Sequence, residues 1–315
     1  MKITEFIEKN KKPFFSIEIT PPLKTKSIEK IFKIIDRINK YNPQFINITY
    51  HQEAVSWEEV DGIKTKVVYQ KHASGVGMCA AIKYKYDIEV VPHFICGGFD
   101  KFESEDALFD LIFLGIDNVL ALRGDPRKNQ DCFQPETNGH AHASELVTQI
   151  RNMANSEYMH QLHPKKPIDF CIGVAGYPEK HPEASSLKED IRYLKHKVDS
   201  GADYIVTQMF FDLTKFIKWV KMCREAGINV PIIPGIKPIT KKKHIRRFAK
   251  KFHVNMPDKL IHKMTHSKTS KEAYQNGIDF TVELSKKLID YGFPAIHYFT
   301  MGNGRDVEDV VKRVF

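Results

Sequence analysis

Eight short runs of apolar, β-branched and aromatic residues recur along the chain, and most are separated by stretches of helical period. Strands joined through helices return in the same direction, so this alternation forces parallel pairing, and eight such strands close a barrel. The runs fall at 14–19, 45–50, 90–96, 117–123, 168–174, 203–209, 230–235 and 295–300. After the first, Ser27 is placed to cap a helix whose buried stripe is Ile28, Ile31, Ile34, Ile35 and Ile38. A short helix is expected at 78–85, with others near 104–115, 143–162, 184–200, 213–226, 240–252, 270–291 and 304–314. The segment 240–291 holds more helix than one crossover requires, and no Gly/Ser-rich or Pro-rich linker sets it apart. The expected architecture is therefore an α/β (β/α)8 TIM barrel over residues 1–315, one domain, with an elaborated helical crossover before strand eight. Residues 51–76 show no clean period and read as a long loop over the active face.

Composition narrows the class of function. Lys and Arg number 48 against 39 Asp and Glu, a formal charge of +9. The excess is spread along the chain, in stretches such as Lys241-Lys242-Lys243, without a nucleic-acid module. It reads as a solvated basic surface that attracts anionic small molecules. The five cysteines, Cys79, Cys96, Cys132, Cys171 and Cys223, are scattered and form no Cys-x-x-Cys pair, which fits free thiols in a reducing compartment. The start has no apolar stretch of signal-peptide length, and no run is long enough for a membrane span. A cytoplasmic homo-oligomer acting on small molecules, with neither nucleic acid nor membrane as partner, is expected.

Barrel active sites gather at the C-terminal ends of the strands, and the polar residues there carry the chemistry. The run 117–123 delivers Arg123, Gly124 and Asp125 side by side. This triplet can bind a phosphate and set a carboxylate against a polar heterocycle; Arg123 reads equally as a salt-bridge partner and Asp125 as a turn cap. Glu18 sits inside an apolar strand, two residues before Thr20-Pro21-Pro22 ends it. A carboxylate there must be paired or have its pKa raised, as a general acid near neutral pH requires, so Glu18 is either such an acid or a structural glutamate. After 168–174, the turn Gly176-Tyr177-Pro178-Glu179-Lys180-His181-Pro182 offers a stacking ring at Tyr177 and a hydrogen-bonding head at His181. The next helix carries Asp190 and Lys197 seven apart, on one face. Gln208 places an amide among aromatics, suited to a heteroaromatic edge. The His262/His266 and His140/His142 pairs lack further ligands, and no metal is expected. Neither a Gly-x-Gly-x-x-Gly nor a P-loop is present.

In this order the segments resemble the methylenetetrahydrofolate reductase family. The matching stretches are Phe15-Ser16-Ile17-Glu18-Ile19-Thr20-Pro21-Pro22, Ile48-Thr49-Tyr50, Pro92-His93-Phe94 and Leu122-Arg123-Gly124-Asp125. They continue with Tyr177-Pro178-Glu179-Lys180-His181-Pro182-Glu183-Ala184, Thr207-Gln208-Met209-Phe210-Phe211-Asp212 and Ile233-Pro234-Gly235-Ile236. The resemblance implies FAD as a tightly bound cofactor, NADH or NADPH as hydride donor, and reduction of 5,10-methylenetetrahydrofolate to 5-methyltetrahydrofolate by a ping-pong relay, which supplies methyl groups for methionine synthesis. It makes Glu18 the general acid toward the folate and Asp125 the acid beside the flavin and the pterin. Thr49, Tyr50, His93, Arg123, Gly124 and Asp125 fall on flavin positions, as do Ala143, Tyr177, His181, Ala184, Asp190 and Lys197. Glu18, Thr49, Asp125, Gln208, Phe248 and Arg305 fall on substrate positions.

Two departures from the family pattern stand out. Thr300-Met301-Gly302-Asn303-Gly304-Arg305 replaces the usual Thr-Leu-Asn-Arg, and His51-Gln52-Glu53 lacks the small residues common after the second strand. The chain ends soon after strand eight, so no separate regulatory domain and no inhibition by S-adenosylmethionine are expected. Two other classes remain open from the residues alone: a flavin-free pterin-binding barrel such as a methyltransferase, and a basic nucleic-acid-binding protein.

Overall fold

The computed structural model describes residues 1–127, 130–160, 167–300 and 302–315. It opens with a short helix α1 (Ile3–Lys9), followed by β1 (Phe14–Ile19), α2 (Glu29–Asn39) and β2 (Phe45–Ile48). Next come β3 (Ala54–Val60), β4 (Ile63–Gln70), α3 (Gly75–Tyr86), β5 (Glu89–Ile95), α4 (Lys101–Phe113) and β6 (Asn118–Leu122). Alternation continues through α5 (Ala143–Ala154), β7 (Cys171–Gly176), α6 (Leu187–Asp199), β8 (Tyr204–Thr207) and α7 (Leu213–Glu225). The chain finishes with β9 (Ile232–Ile233), β10 (Gly235–Ile236), α8 (Lys242–Phe252), α9 (Asp258–Thr265), α10 (Ser270–Asp290), β11 (Ala295–Phe299) and α11 (Arg305–Val314).

The parallel sheet runs β10-β11-β1-β2-β5-β6-β7-β8-β9. Its two ends are one interrupted strand. Pro234 lacks an N–H and breaks the ladder between β9, which pairs with β8, and β10, which pairs with β11. The Pro234 carbonyl still accepts from the His297 N–H at 2.9 Å. The nine ladder segments are thus eight strand positions closed into a barrel, as the alternation predicts.

Side chains alternate across this wall. Phe15, Ile17 and Ile19 face the helices and belong to the main core with the Ile31, Ile34, Ile35 and Ile38 stripe of α2. Phe14, Phe45, Val91, Leu120, Tyr204 and Ile233 face inward, where Ile3, Phe6 and Ile7 of α1 pack against them. Phe14, Phe45 and Tyr204 begin their strands, so α1 plugs the N-terminal end. Above this plug the inward positions of the first, second, third and last barrel strands turn polar: Ser16, Glu18, Asn47, His93 and His297. A third cluster, including Met209, Phe211, Phe248, Leu260 and Met264, fills the space under α8, α9 and α10, the elaborated crossover.

Four expectations need correcting. Residues 51–76 are no loop: β3 and β4 form an antiparallel hairpin, turned by Asp61 and Gly62 at φ +52° and +76°. The helices at Ile3–Lys9 and Asp258–Thr265 were absent from the expected pattern. The helix expected over 143–162 ends at Ala154, and its last two positions lie outside the described residues. The fifth barrel strand begins at Cys171, three residues later than expected, because its pairing with Asn118 starts there.

Candidate active site

Glu18 projects from β1 into the polar upper layer. Its Oε2 lies 3.5 Å from His93 Nε2 of β5 and 3.9 Å from His297 Nε2 of β11. His297 is held from below by Ser16, whose Oγ is 2.8 Å from Nδ1, and the Asn47 amide approaches His93 Nε2 at 3.4 Å. Burial pushes the Glu18 carboxyl up, but His297, His93 and His51 together hold it below the usual carboxylate range. His93 is itself pushed down to about 4, chiefly by burial, with Glu18 opposing. At neutral pH the arrangement is an ionised Glu18 beside a neutral His93. The raised pKa expected of a general acid is thus not a property of the protein by itself.

His51 links the two acidic residues. Burial lowers its pKa first, while the Glu18 and Asp125 carboxylates both raise it, so each acts on the imidazole between them. The ring meets Thr49 Oγ1 at 3.1 Å through Nε2 and packs on His72 at 4.8 Å. Asp125 is exposed at the mouth of β6. Its backbone carbonyl accepts from Gln52 Nε2 at 2.9 Å, and Gln52 Oε1 accepts from Arg127 Nε at 3.1 Å. Gly124 makes the sharp exit possible: its φ is +90°, and a Cβ there would stand 3.1 Å from Ile95 Cδ1.

A second, cationic group lies across β6, β7 and α6. Both guanidinium nitrogens of Arg123 meet the Glu183 carboxylate at 2.6 Å, and the guanidinium lies 5.1 Å from the Phe133 ring centre. Lys197 donates to the Ala175 carbonyl at 2.5 Å; burial pushes its pKa down to about 8, with Asp190 opposing. Burial raises Asp190 in turn. Tyr177 and His181 pack edge to face at 4.7 Å. Burial, then the Asp125 and Asp190 charges, push Tyr177 up to about 12. Ala184 is buried on the same turn, its N–H donating to the His181 carbonyl, and Ala143 opens α5.

The donor set fits a flavin dinucleotide. A half-buried guanidinium and a buried ammonium suit phosphate oxygens, and the Glu183 carboxylate on Arg123 stands in for such an anion. Tyr177 and Tyr50, whose ring lies 5.4 Å from that of Phe99, supply flat apolar surfaces beside polar groups.

The remaining expected residues lie further out. Gln208 bends back so that its Oε1 accepts from the Met209 N–H at 2.9 Å. Phe248 is buried in the third cluster, stacked on His244 at 4.8 Å. Arg305 opens α11 with its side chain 68% exposed and 3.9 Å from Asp309, and no described contact joins it to the other site residues. Met301, next to the altered turn, lies outside the described residues. His297, His51, Gln52 and Glu183 were not singled out from sequence. His297 carried the same signal as Glu18, a polar residue at inward parity in an apolar strand; Gln52 carried none.

The family model of methylenetetrahydrofolate reductase matches residues 2–314. Methylenetetrahydrofolate reductase 1 of Schizosaccharomyces pombe is 34% identical over 302 residues, covering 95% of this chain and 45% of the yeast protein. Methylenetetrahydrofolate reductase (NADH) 1 of Arabidopsis thaliana is 35% identical over 297 residues, 91% of this chain and 46% of its own length. The chain spans about half the length of these curated relatives. A solved structure from Clostridium thermocellum, of an uncharacterized protein that binds two copies of 5-methyl-5,6,7,8-tetrahydrofolic acid, covers 99% of this chain and 97% of its own. Its TM-score of 0.59 at 14% identity shows a shared fold. By its matched length and the identity of its relatives, this chain belongs to the methylenetetrahydrofolate reductase family.

Proposed function

We propose that the chain, as one catalytic barrel, reduces 5,10-methylenetetrahydrofolate to 5-methyltetrahydrofolate, with FAD resident in the site and NADH or NADPH as donor. The observation that carries this reading is the Glu18 carboxyl, set inside the barrel wall against His93 and His297 and flanked through His51 by Asp125. When bound, the flavin supplies the hydride chemistry. Arg123 and Lys197 would hold its anionic part, with Tyr177, His181, Asp190, Thr49 and Tyr50 around the rest.

The protein's own residues then handle protons and charge. Glu18 has a side chain 17% exposed in the structure. A folate above it would remove that remaining water and favour the neutral acid, while His93, pushed down to about 4, stays uncharged. Its proton passes to N10 of the folate, which opens the five-membered ring. Asp125 faces the positive charge that develops on the substrate and stabilises it electrostatically. Gln208 presents its amide at the pterin or nicotinamide edge, and the plug of α1 with the inward apolar layer keeps water from below.

All five cysteines are free thiols, which supports a reducing compartment such as the cytoplasm, and among the described residues no helix is long and apolar enough to cross a membrane. Such an activity would supply methyl groups for methionine synthesis. An anaerobic absorption spectrum before and after NADH, and separately NADPH, tests the reading. Bleaching of a flavin band followed by its recovery with methylenetetrahydrofolate is expected. A protein that binds the folate without any flavin would overturn it in favour of a methyltransferase-like barrel.

A further inference from the structure

The turn that follows β7 and the crossover that carries Phe248 are joined by one side chain. The Asn255 N–H donates to Glu179 Oε2 at 2.9 Å, across 76 residues of sequence. Among the described residues no other hydrogen bond or ion pair links the turn 177–184 to the segment 240–265.

Each partner is held firmly on its own side. Lys180, at φ +80°, bends its ammonium back onto the His181, Pro182 and Ala184 carbonyls. The Glu183 N–H donates to His181 Nδ1 at 3.2 Å, so the turn bearing Tyr177 and His181 is bonded to itself. Across the contact, α8 ends at His253, whose φ of +53° reverses the chain. Val254 and Met256 then drop into the cluster that holds Phe248, Met209 and Phe211. Asn255 lies between them, exposed, with Glu179 as its N–H partner. Phe248 packs edge to face on Phe252, the last residue of α8, at 5.8 Å. A shift at Asn255 therefore reaches Phe248 through about one turn of helix.

Glu179 is a costly residue in this place. Burial raises its pKa, with the Asn255 N–H and Lys215 opposing and Asp212 adding to the rise. Its other oxygen, Oε1, is buried and meets no donor among the described residues. A half-satisfied carboxylate is poorly explained by stability, so what it supplies is its one contact.

We propose that Glu179 is a positioning residue: through Asn255 it fixes the end of α8, and with it Phe248, against the turn that meets the flavin. The folate then finds its aromatic wall already set relative to the cofactor. This rests on the folate reading above and deepens it. Glu179 acts through the Asn255 backbone and not on the reacting atoms.

The test uses Glu179→Ala and Glu179→Gln in the flavin-loaded protein, with melting checked. The glutamine keeps an acceptor for the Asn255 N–H, and the alanine has none. In stopped-flow reoxidation of the reduced protein, Glu179→Ala should need about tenfold more methylenetetrahydrofolate for half-saturation, the effect of losing one hydrogen bond to a charged acceptor. Its limiting rate and flavin retention should match the parent, and Glu179→Gln should restore the parent's half-saturation. Unchanged half-saturation in the alanine variant overturns the proposal. So does a glutamine variant as weak as the alanine, or flavin lost in step with folate affinity, which would make Glu179 a structural part of the cofactor turn. Trypsin cleavage after Lys250 and Lys251 requires neither flavin chemistry nor folate, and the alanine variant should be cut faster than the parent and the glutamine variant. A parent that never reoxidises with the folate would sink the proposed reaction, whereas equal cutting of all three proteins would sink the contact's positioning role.

Discussion

Arg123 and Glu183 face each other through two parallel contacts of 2.6 Å, joining the exit of β6 to the turn after β7. The carboxylate occupies the geometry that a phosphate would take. Glu183 is 52% exposed on its side chain, so the pair contributes no more than ~1 kcal/mol to folding. We predict that Glu183→Gln, which frees the guanidinium, speeds FAD uptake and tightens it by about tenfold. Arg123→Ala should lose flavin faster on dilution at nearly unchanged melting temperature. Flavin fluorescence quenching reads both; equal affinity in parent and both variants would remove Arg123 from the cofactor site.

Glu18→Gln separates the half-reactions. The amide keeps shape and hydrogen bonding but cannot deliver a proton. Flavin retention and reduction by the nicotinamide should persist, while the folate step slows by about 10²–10⁴-fold, the range typical of general acid catalysis. Asp125→Asn should weaken folate binding and slow the same step without abolishing it, because a dipole replaces a charge. Stopped-flow absorbance resolves each half. If Glu18→Gln reoxidises with the folate as fast as the parent, Glu18 is structural.

Acid should destabilise the protein through His93. The folded state holds this imidazole neutral down to about 4, whereas an unfolded histidine binds its proton below about 6.5. Stability conferred by the neutral ring is therefore lost as pH falls through that window, by roughly 3 kcal/mol at its foot given about 1.4 kcal/mol per unit. Glu18, held low, adds loss in the same direction at more acidic pH. Calorimetric melting from neutral pH to pH ~4 should show a shallower slope in His93→Gln. Parallel slopes would mean the ring is not buried as described.

Flavin binding should weaken in mild base. Lys197 loses its proton at about 8 in the free protein, so a phosphate arriving above that pH must bind an uncharged amine or take up a proton. Affinity should fall as pH rises past about 8. Lys197→Arg, whose guanidinium stays charged in this range, should flatten the decline. A pH series of FAD titrations decides this, and a parent curve that is flat through the window counts against a phosphate at Lys197.

Legibility in the sequence followed burial. The strands at 14–19 and 295–299 were plain because a barrel wall packed on both faces demands near-continuous apolar runs. Glu18 stood out against such a run. The β3–β4 hairpin did not, because β4 is mostly exposed and its lysines and threonine carry no apolar period. Its one signal was the Asp61-Gly62 turn. The direction of the Glu18 pKa was beyond reach of its segment, since it depends on His93 and His297 brought in from strands 75 and 279 residues away. Glu183 was visible only as part of a motif; its contact with Arg123 spans 60 residues of sequence.

The break at Pro234 makes the barrel a ribbon fastened along a single seam. Here Ile232 and Ile233 grip β8 and, across Pro234, Gly235 and Ile236 grip β11, each a shorter pairing than any other in the barrel sheet. The wall is thinnest in hydrogen bonds at that line, and the Thr207 hydroxyl reinforces it by accepting from the Gly235 N–H at 2.9 Å. Thr207 is followed by Gln208, so the weakest line of the cylinder runs up to a residue expected to touch both substrates. Amide protons of Gly235 and Ile236 should exchange with solvent ahead of those in β1, and a folate seated above should slow them. The seam thus becomes a gauge of whether the site is filled.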